Sequence, residues 1–384
     1  MKYEARRMKT HVAKLAIAAL FLLVGVIGSG ESIAEPLKIG FIASITGPSA
    51  EQGVFAVNGA RLALEEVNKA GGVLGRPIEL RLEDDQSTNP GAVLAFAKVT
   101  SEGGVVAVVG PIRSTMIQAM SPSIAKVGLP TLIGGSDTSL THVNNRWVFR
   151  IRPNDSYSAR VIADFGVNTL KLRKWAIVYS TDAYGAGGAK ALNEELKAIG
   201  VTPVLSQGFT ANAQDFSAIV LAIKQSGADI VSGYIGIPAD FAIFTKQLKQ
   251  LGVNVPILSG MGASVSARKL AGSALFGSYA VIDFAPDASD ASRLFSKKYR
   301  DRYGVDPDFY SSWTYDAVHI LAVAIKNAAG TNPDAIRKAI LTIQNYEGAE
   351  GIFNFDENGD GLHGYNVVRN QEGNLVFIRQ VNFK

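Results

Sequence analysis

A chain of 384 residues with 38 basic and 34 acidic side chains, four histidines and no cysteine excludes several chemistries before any motif is read. Disulfides, thiolate metal sites and cysteine nucleophiles are ruled out. The near balance of charge offers nucleic acid no basic patch and a basic partner no acidic tail.

The chain opens on a basic segment (Lys2, Arg6, Arg7, Lys9, Lys14), followed by an apolar run over residues 15–27 and a small-residue stretch, Ser32-Ile33-Ala34. That order predicts a secretory signal peptide cleaved after Ala34. The run falls short of the roughly 20 residues that span a bilayer. Such a leader predicts a periplasmic protein, working without cytoplasmic ATP, NAD or nucleic acid. Removing its five basic and two acidic residues leaves 33 against 32, so the formal charge of +4 belongs mostly to the leader. The remaining ~350 residues exceed what one hydrophobic core usually reaches, and two lobes are expected.

Short β-branched runs then alternate with helical patterns. Strands are predicted over 38–44, 78–84, 105–109, 130–133, 174–179, 202–209, 230–234, 256–259 and 279–284. Most are apolar almost throughout, as strands covered on both faces should be. Helices are predicted over 54–70, 90–102, 114–127, 157–170, 186–199, 216–227 and 238–251. Glycines close several of them, as at Gly71-Gly72, Gly128, Gly200 and Gly252. This alternation predicts doubly wound α/β lobes. The tail breaks it: 353–355, 365–369 and 375–382 read as short antiparallel strands, the last two joined by a turn over 370–374. No linker rich in Pro, Gly or Ser separates two halves, so ordered crossovers and a cleft are expected.

Several motifs recur in a telling order. KIGFIASITGP (38–48) is followed by GARLALEEVN (59–68), GGVLG (71–75) and EDD (83–85). VGP (109–111), YG (184–185), DFS (215–217), TYDA (314–317) and FDENGD (355–360) complete the set. In this order and spacing the mature chain resembles the type I periplasmic substrate-binding proteins of ABC importers, the leucine/isoleucine/valine-binding family. The resemblance implies two Rossmann-like lobes joined by three crossovers, with the ligand cleft between them. It places residues 37–152 plus 282–345 in the first lobe and 153–281 plus 346–384 in the second. It also implies a membrane permease as partner and a receptor, not an enzyme. No cofactor is implied, and a monomer is expected.

Ligands of open α/β sheets bind beyond the carboxyl ends of strands. Three turns meet that condition: 46–53, 110–115 and 134–138. By resemblance, Ser114, Gly134 and Ser136 match positions that hold a ligand carboxylate, with Thr115 and Gly135 beside them. Bare helix N–H groups and small hydroxyls suit an anion; an ordinary N-cap would use Ser114 equally well. Tyr184 and Tyr310 match aromatic ligand contacts, though core packing accounts for tyrosines too. Gln52 falls where amino-acid binders often place an aromatic. Gly236 and Ile237 align with another contact. Arg113 stands where it can assist a carboxylate or simply face solvent.

One departure bears on the ligand. Amino-acid binders of this family place an acidic residue after the strand equivalent to 256–259, to pair the ligand ammonium. Met261 is the closest match here, and residues 259–263 hold no carboxylate. Burying an ammonium without a charged partner costs several kcal/mol. The expected ligand is therefore a small carboxylate with an aromatic or apolar body, benzoate-like or keto-acid-like. A branched-chain or other hydrophobic amino acid is the alternative, and a sensor feeding a chemoreceptor or kinase is the alternative to import.

Other motifs lead elsewhere. Residues 356–361 begin like a calcium loop, but Val367 stands where the bidentate glutamate belongs, and a turn is the better reading. Residues 185–190 fit neither phosphate-loop spacing. Gly135-Ser136-Asp137 lacks the nucleophile elbow, and no histidine is placed for a triad. Asp84-Asp85 reads as a structural strand end near the cleft rim.

Overall fold

The computed structural model describes residues 35–383; the predicted leader lies outside the described residues. Alternation begins at β1 (Leu37–Ala43) and runs through α1 (Ala50–Lys69), β2 (Ile78–Asp84), α2 (Asn89–Ser101), β3 (Val105–Val109), α3 (Ser114–Val127), β4 (Thr131–Ile133) and β5 (Val148–Arg150). These strands form one parallel sheet in the order β2-β1-β3-β4-β5. The apolar run of β3 is buried from Val106 onward, because helices cover both faces of the sheet. Gly128 ends α3 in the left-handed conformation at φ 72°, its N–H donating to the Ile124 carbonyl at 3.0 Å.

The second alternation comprises α4 (Asp155–Asp164), β6 (Trp175–Ser180), α5 (Ala183–Ala198), β7 (Leu205–Phe209), α6 (Ser217–Ser226), β8 (Ile230–Tyr234), α7 (Pro238–Gln250), β9 (Ile257–Leu258), α8 (Val265–Ala271) and β10 (Tyr279–Ile282). Three helices follow: α9 (Asp290–Tyr303), α10 (Phe309–Asn327) and α11 (Pro333–Leu341). The short pair β11 (Tyr346–Glu347) and β12 (Ile352–Phe353) precedes the hairpin β13 (Gly364–Gln371) and β14 (Asn374–Asn382). The second sheet has the order β14-β13-β10-β9-β8-β6-β7. Its first two strands are antiparallel to their neighbours and the rest are parallel. Glu372 and Gly373, both at positive φ, make the tight turn of the hairpin.

Apolar clusters cover both faces of each sheet, and one of them joins Phe55 of α1 and Tyr310 of α10 to the second sheet. Ile39, Ala60, Trp313 and Leu321 pack on one face of the first sheet; Ile42, Phe96 and Met120 pack on the other. Val178, Phe241 and Phe244 cover one face of the second, and Ile162, Ile177 and Leu196 the opposite one. The chain leaves the first sheet after Arg150, returns to it after Ile282 through α10 and α11, and leaves again before Gly364. Phe353 and Phe355 pack with the first sheet's core. Residues 346–355, expected with the second lobe, thus stand against the first, because their aromatic side chains find their burial there.

Other elements differ from expectation in extent. The helix predicted over 157–170 ends at Asp164 and continues as a π-turn over Phe165–Thr169. Gly166 in that turn lies against Trp175, whose ring would stand 2.3 Å from an added Cβ. The strand predicted over 202–209 begins only at Leu205.

Candidate ligand-binding site

The loops at the carboxyl ends of both sheets enclose a cavity of about 750 Å³, its mouth included. The local build starts at Gly53, in the first turn of α1. A Cβ there would stand 1.8 Å from the Ser44 carbonyl oxygen. Glycine lets the helix start directly against the end of β1, and this close approach brings Gln52 to the cavity. Asp84 and Asp85 brace the same loop. Asp84 accepts from the Ile45 N–H and the Thr46 hydroxyl, and Asp85 from the Ser44 hydroxyl and Ser87 N–H.

The first turn of α3 forms one wall. Met116 and Ile117 N–H groups donate to the Arg113 carbonyl, so Ser114 and Thr115 precede the helical ladder. Ser114 is the first helical residue rather than the cap. Its Oγ accepts from the Asp137 N–H at 3.3 Å, which ties the second turn to the third. Thr115 Oγ1 accepts from the Ala183 N–H at 3.3 Å, across the cleft.

Ser136 donates its hydroxyl to Asp155 Oδ2 at 3.1 Å. Asp155 is fully buried, and burial pushes its carboxyl up to about 7 against the lowering effects of Ser136 and Arg152. The neighbouring Arg152 is fully engaged. It forms a forked pair with Asp283, donates to the Gly134 carbonyl at 3.3 Å and lies over the Phe309 ring at 4.8 Å. Arg113 likewise pairs with Asp182 at 3.3 Å and reaches Ser49 Oγ at 3.4 Å.

Aromatic side chains complete the enclosure. Tyr184 meets Tyr234 edge to face at 5.8 Å, and the Tyr234 hydroxyl shares a hydrogen bond with Ser158 at 2.9 Å. Tyr365 donates to the Pro153 carbonyl at 3.0 Å. Tyr310 on α10 approaches Met261 Sδ at 3.8 Å. An added Cβ on Gly236 would stand 3.3 Å from the Tyr184 ring, so the small residue leaves that ring its place.

Eight of the eleven residues singled out from the sequence line this one cavity: Gln52, Ser114, Thr115, Ser136, Tyr184, Gly236, Met261 and Tyr310. Gly134, Gly135 and Ile237 do not. Added Cβ atoms on the two glycines would stand 2.8 Å from Trp313 and 2.5 Å from Ile117, so no side chain fits at either position. Ile237 is buried at the start of α7. Sequence reasoning missed Arg152, Asp155, Ser158, Tyr234 and Tyr365. Tyr234 was within reach, because it ends a predicted strand on the side where ligands bind. Asp155 also corrects the expectation that a ligand ammonium would find no carboxylate: residues 259–263 hold none, but the passage between the sheets supplies one.

The calcium-like segment folds on itself. Asp356 Oδ1 accepts from the Asn358 and Asp360 N–H groups, and Asp360 pairs with Arg150 at 2.8 Å. Among the described residues no cluster of side chains is arranged to hold a metal ion, and no helix is long and apolar enough to cross a membrane.

A family model described as periplasmic binding protein matches residues 36–374. The chain is 29% identical over 366 residues to "Leu/Ile/Val-binding protein homolog 1" of Brucella abortus, covering 93% of this chain and 97% of that one. It is 30% identical over 334 residues to "Leu/Ile/Val-binding protein BraC3" of Rhizobium johnstonii, covering 84% and 88%. The crystal structure of a leucine binding protein, LivK, from Thermotoga maritima superposes with a TM-score of 0.85 at 25% identity, covering 90% of this chain and 99% of that one.

Proposed function

The chain belongs to the periplasmic binding protein family, and on that premise we propose that it captures a small carboxylate with an aromatic or apolar body. At the coarser level it is a substrate-binding protein of the kind that serves ABC transporters, a receptor and not an enzyme. The observation that carries the finer reading is the first turn of α3. Ser114 and Thr115 open there onto a cavity walled by Tyr184, Tyr310 and Met261. Helix N–H groups and hydroxyls favour an anion, and the aromatic and thioether walls favour a ring or branched chain. Both arginines at the cavity are already paired, which leaves the helix turn as the anion's seat.

Ligand that touches both walls stabilises the closed arrangement of the lobes, and a membrane permease reads that arrangement. The reading includes export through the leader of residues 1–34 and a monomeric receptor in the periplasm. A hydrophobic α-amino acid is the second reading. Asp155 favours it, because a buried carboxylate with no cation of its own can receive an ammonium, and the names of the relatives point the same way. A sensor passing the same signal to a chemoreceptor or kinase differs only in its partner.

Thermal-shift screening of residues 35–384 separates the ligand readings. Benzoate, phenylpyruvate and 4-methyl-2-oxopentanoate are compared with leucine and valine. A ligand at 100 times its Kd stabilises by about 2.7 kcal/mol, an easily read shift. Response to the acids supports the proposal. Response to leucine or valine alone replaces it with the amino-acid reading.

A further inference from the structure

Gln52 differs from the serines at the cavity. The hydroxyls of Ser114, Ser136 and Ser158 all have protein partners. Gln52 is only 4% exposed, lines the cavity, and its Nε2 has no hydrogen-bond partner. A buried amide left without a partner is costly, so this donor is held in reserve for something that enters the cavity. The amide is also pre-positioned, since Gly53 locks the first turn of α1 against Ser44.

Its neighbours one turn along α1 are apolar. Gln52 and Phe55 are three residues apart and share one face of α1. Phe55 belongs to the apolar cluster that contains Met261, Phe309 and Tyr310. Ile112, at the turn that leads into Ser114, packs against the same cluster, so Gln52 and that turn border one cavity. Gln52 therefore stands beside the apolar side of the cavity, which suits the body of a ligand better than its carboxylate.

We infer that Gln52 is a specificity-determining residue that donates a hydrogen bond to an oxygen on the ligand body, so the preferred ligand is a hydroxylated or carbonyl-bearing acid. The inference rests on the acid-binding reading above. An apolar isostere is rejected because it leaves the amide unpaired.

Calorimetric titration of residues 35–384 with benzoate, 3-hydroxybenzoate, 4-hydroxybenzoate and 4-methylbenzoate provides the test. The methyl compound matches the hydroxyl compound in size and lacks the oxygen. At least one hydroxybenzoate should bind about tenfold or more tighter than 4-methylbenzoate. In Gln52→Leu and Gln52→Met that preference should fall to within about twofold. Two variants guard against misfolding, and each is checked by its melting temperature. Binding of the series without a preference, or a preference that survives both substitutions, overturns the inference and leaves the acid reading intact. Equal weakening of all four compounds also overturns it, since the amide would then hold the carboxylate. Failure of all four to bind beside a response to leucine removes the acid reading, and the inference falls with it.

Discussion

Asp155 offers a test of the sign of the ligand's charge. Its carboxyl is held near 7 chiefly by burial, with Arg152 and Ser136 lowering it and Asp137 raising it. An anionic ligand beside it binds best to the neutral carboxyl. Affinity is then full below about pH 7 and falls by up to about tenfold per pH unit above it. An ammonium ligand needs the ionised carboxylate, and its affinity falls instead as pH drops through 7. Measuring Kd between pH 5.5 and 8.5 distinguishes the two, and Asp155→Asn should flatten either profile. For an acid, the asparagine variant should bind as well at pH 8 as at pH 6. For an amino acid it should lose about 2 kcal/mol or more at pH 8, the scale of a hydrogen bond to a charged group. The same group contributes to stability. Its folded pKa lies above the unfolded value, so its contribution is greatest below pH 3.8 and is lost as pH rises through about 7. The ligand-free protein should therefore melt at a higher temperature at pH 5.5 than at pH 7.5, and Asp155→Asn should reduce that difference. Equal slopes in both proteins would exclude Asp155 as its source.

Among the elements, α10 does most to join the site to the scaffold. Asp308 caps it, accepting from the Tyr310 N–H at 3.0 Å, while Ser311 returns a bond to the Asp308 N–H at 3.1 Å. The second Asp308 oxygen accepts from the Val265 N–H at the start of α8. One carboxylate thus fixes both the helix that carries Tyr310 and the segment that follows Met261. Asp308→Ala should destabilise the fold by about 1–2 kcal/mol, the range of a lost N-cap, and weaken ligand binding as Tyr310 and Met261 loosen. Urea unfolding and calorimetry on the same sample check both; a stability change within error would remove the cap from this account. This helix also shows where sequence reading ends. Strand β3 and helix α3 were legible because a continuous apolar run and a terminal glycine state their own boundaries. Helix α10 presents no polar face to reveal its period, since Phe309 through Thr314 are buried in succession. The turns bearing Ser114 and Ser136 were legible from the rule that ligands meet the carboxyl ends of strands. Arg152 and Asp155 were not. They lie in a passage between sheets, where neither periodicity nor turn chemistry marks a side chain as facing a cavity.

At the scale of the whole molecule, two sets of polar contacts divide the labour. Arg150–Asp360 and Arg152–Asp283 are buried pairs that bind together the segments passing between the sheets. Arg113–Asp182 and Thr115–Ala183 lie instead at the cleft, joining the start of α3 to the start of α5. On the proposed lobe closure, the passage pairs should keep their contacts through opening, since Arg150 and Asp360 are also bridged through their backbones. The cleft contacts need the two helix starts to meet, so on the same proposal they should add free energy to the closed form alone. An ion pair whose side chains keep 18% and 19% of their exposure contributes about 1 kcal/mol or less. That predicts a drop in ligand affinity of about threefold to fivefold for Asp182→Asn, expressed mainly as faster dissociation. Asparagine keeps the cap on α5, where Asp182 now accepts from the Gly185 N–H at 2.9 Å, so unfolding free energy should stay within about 0.5 kcal/mol. A double-mutant cycle with Arg113→Gln isolates the pair from any direct contact of either residue with ligand. Coupling that shrinks between 0.05 and 0.5 M salt is the expected signature of a screened pair. Zero coupling at low salt would mean that the bound state does not use this contact, and that closure rests on the ligand's own bridging of the two walls.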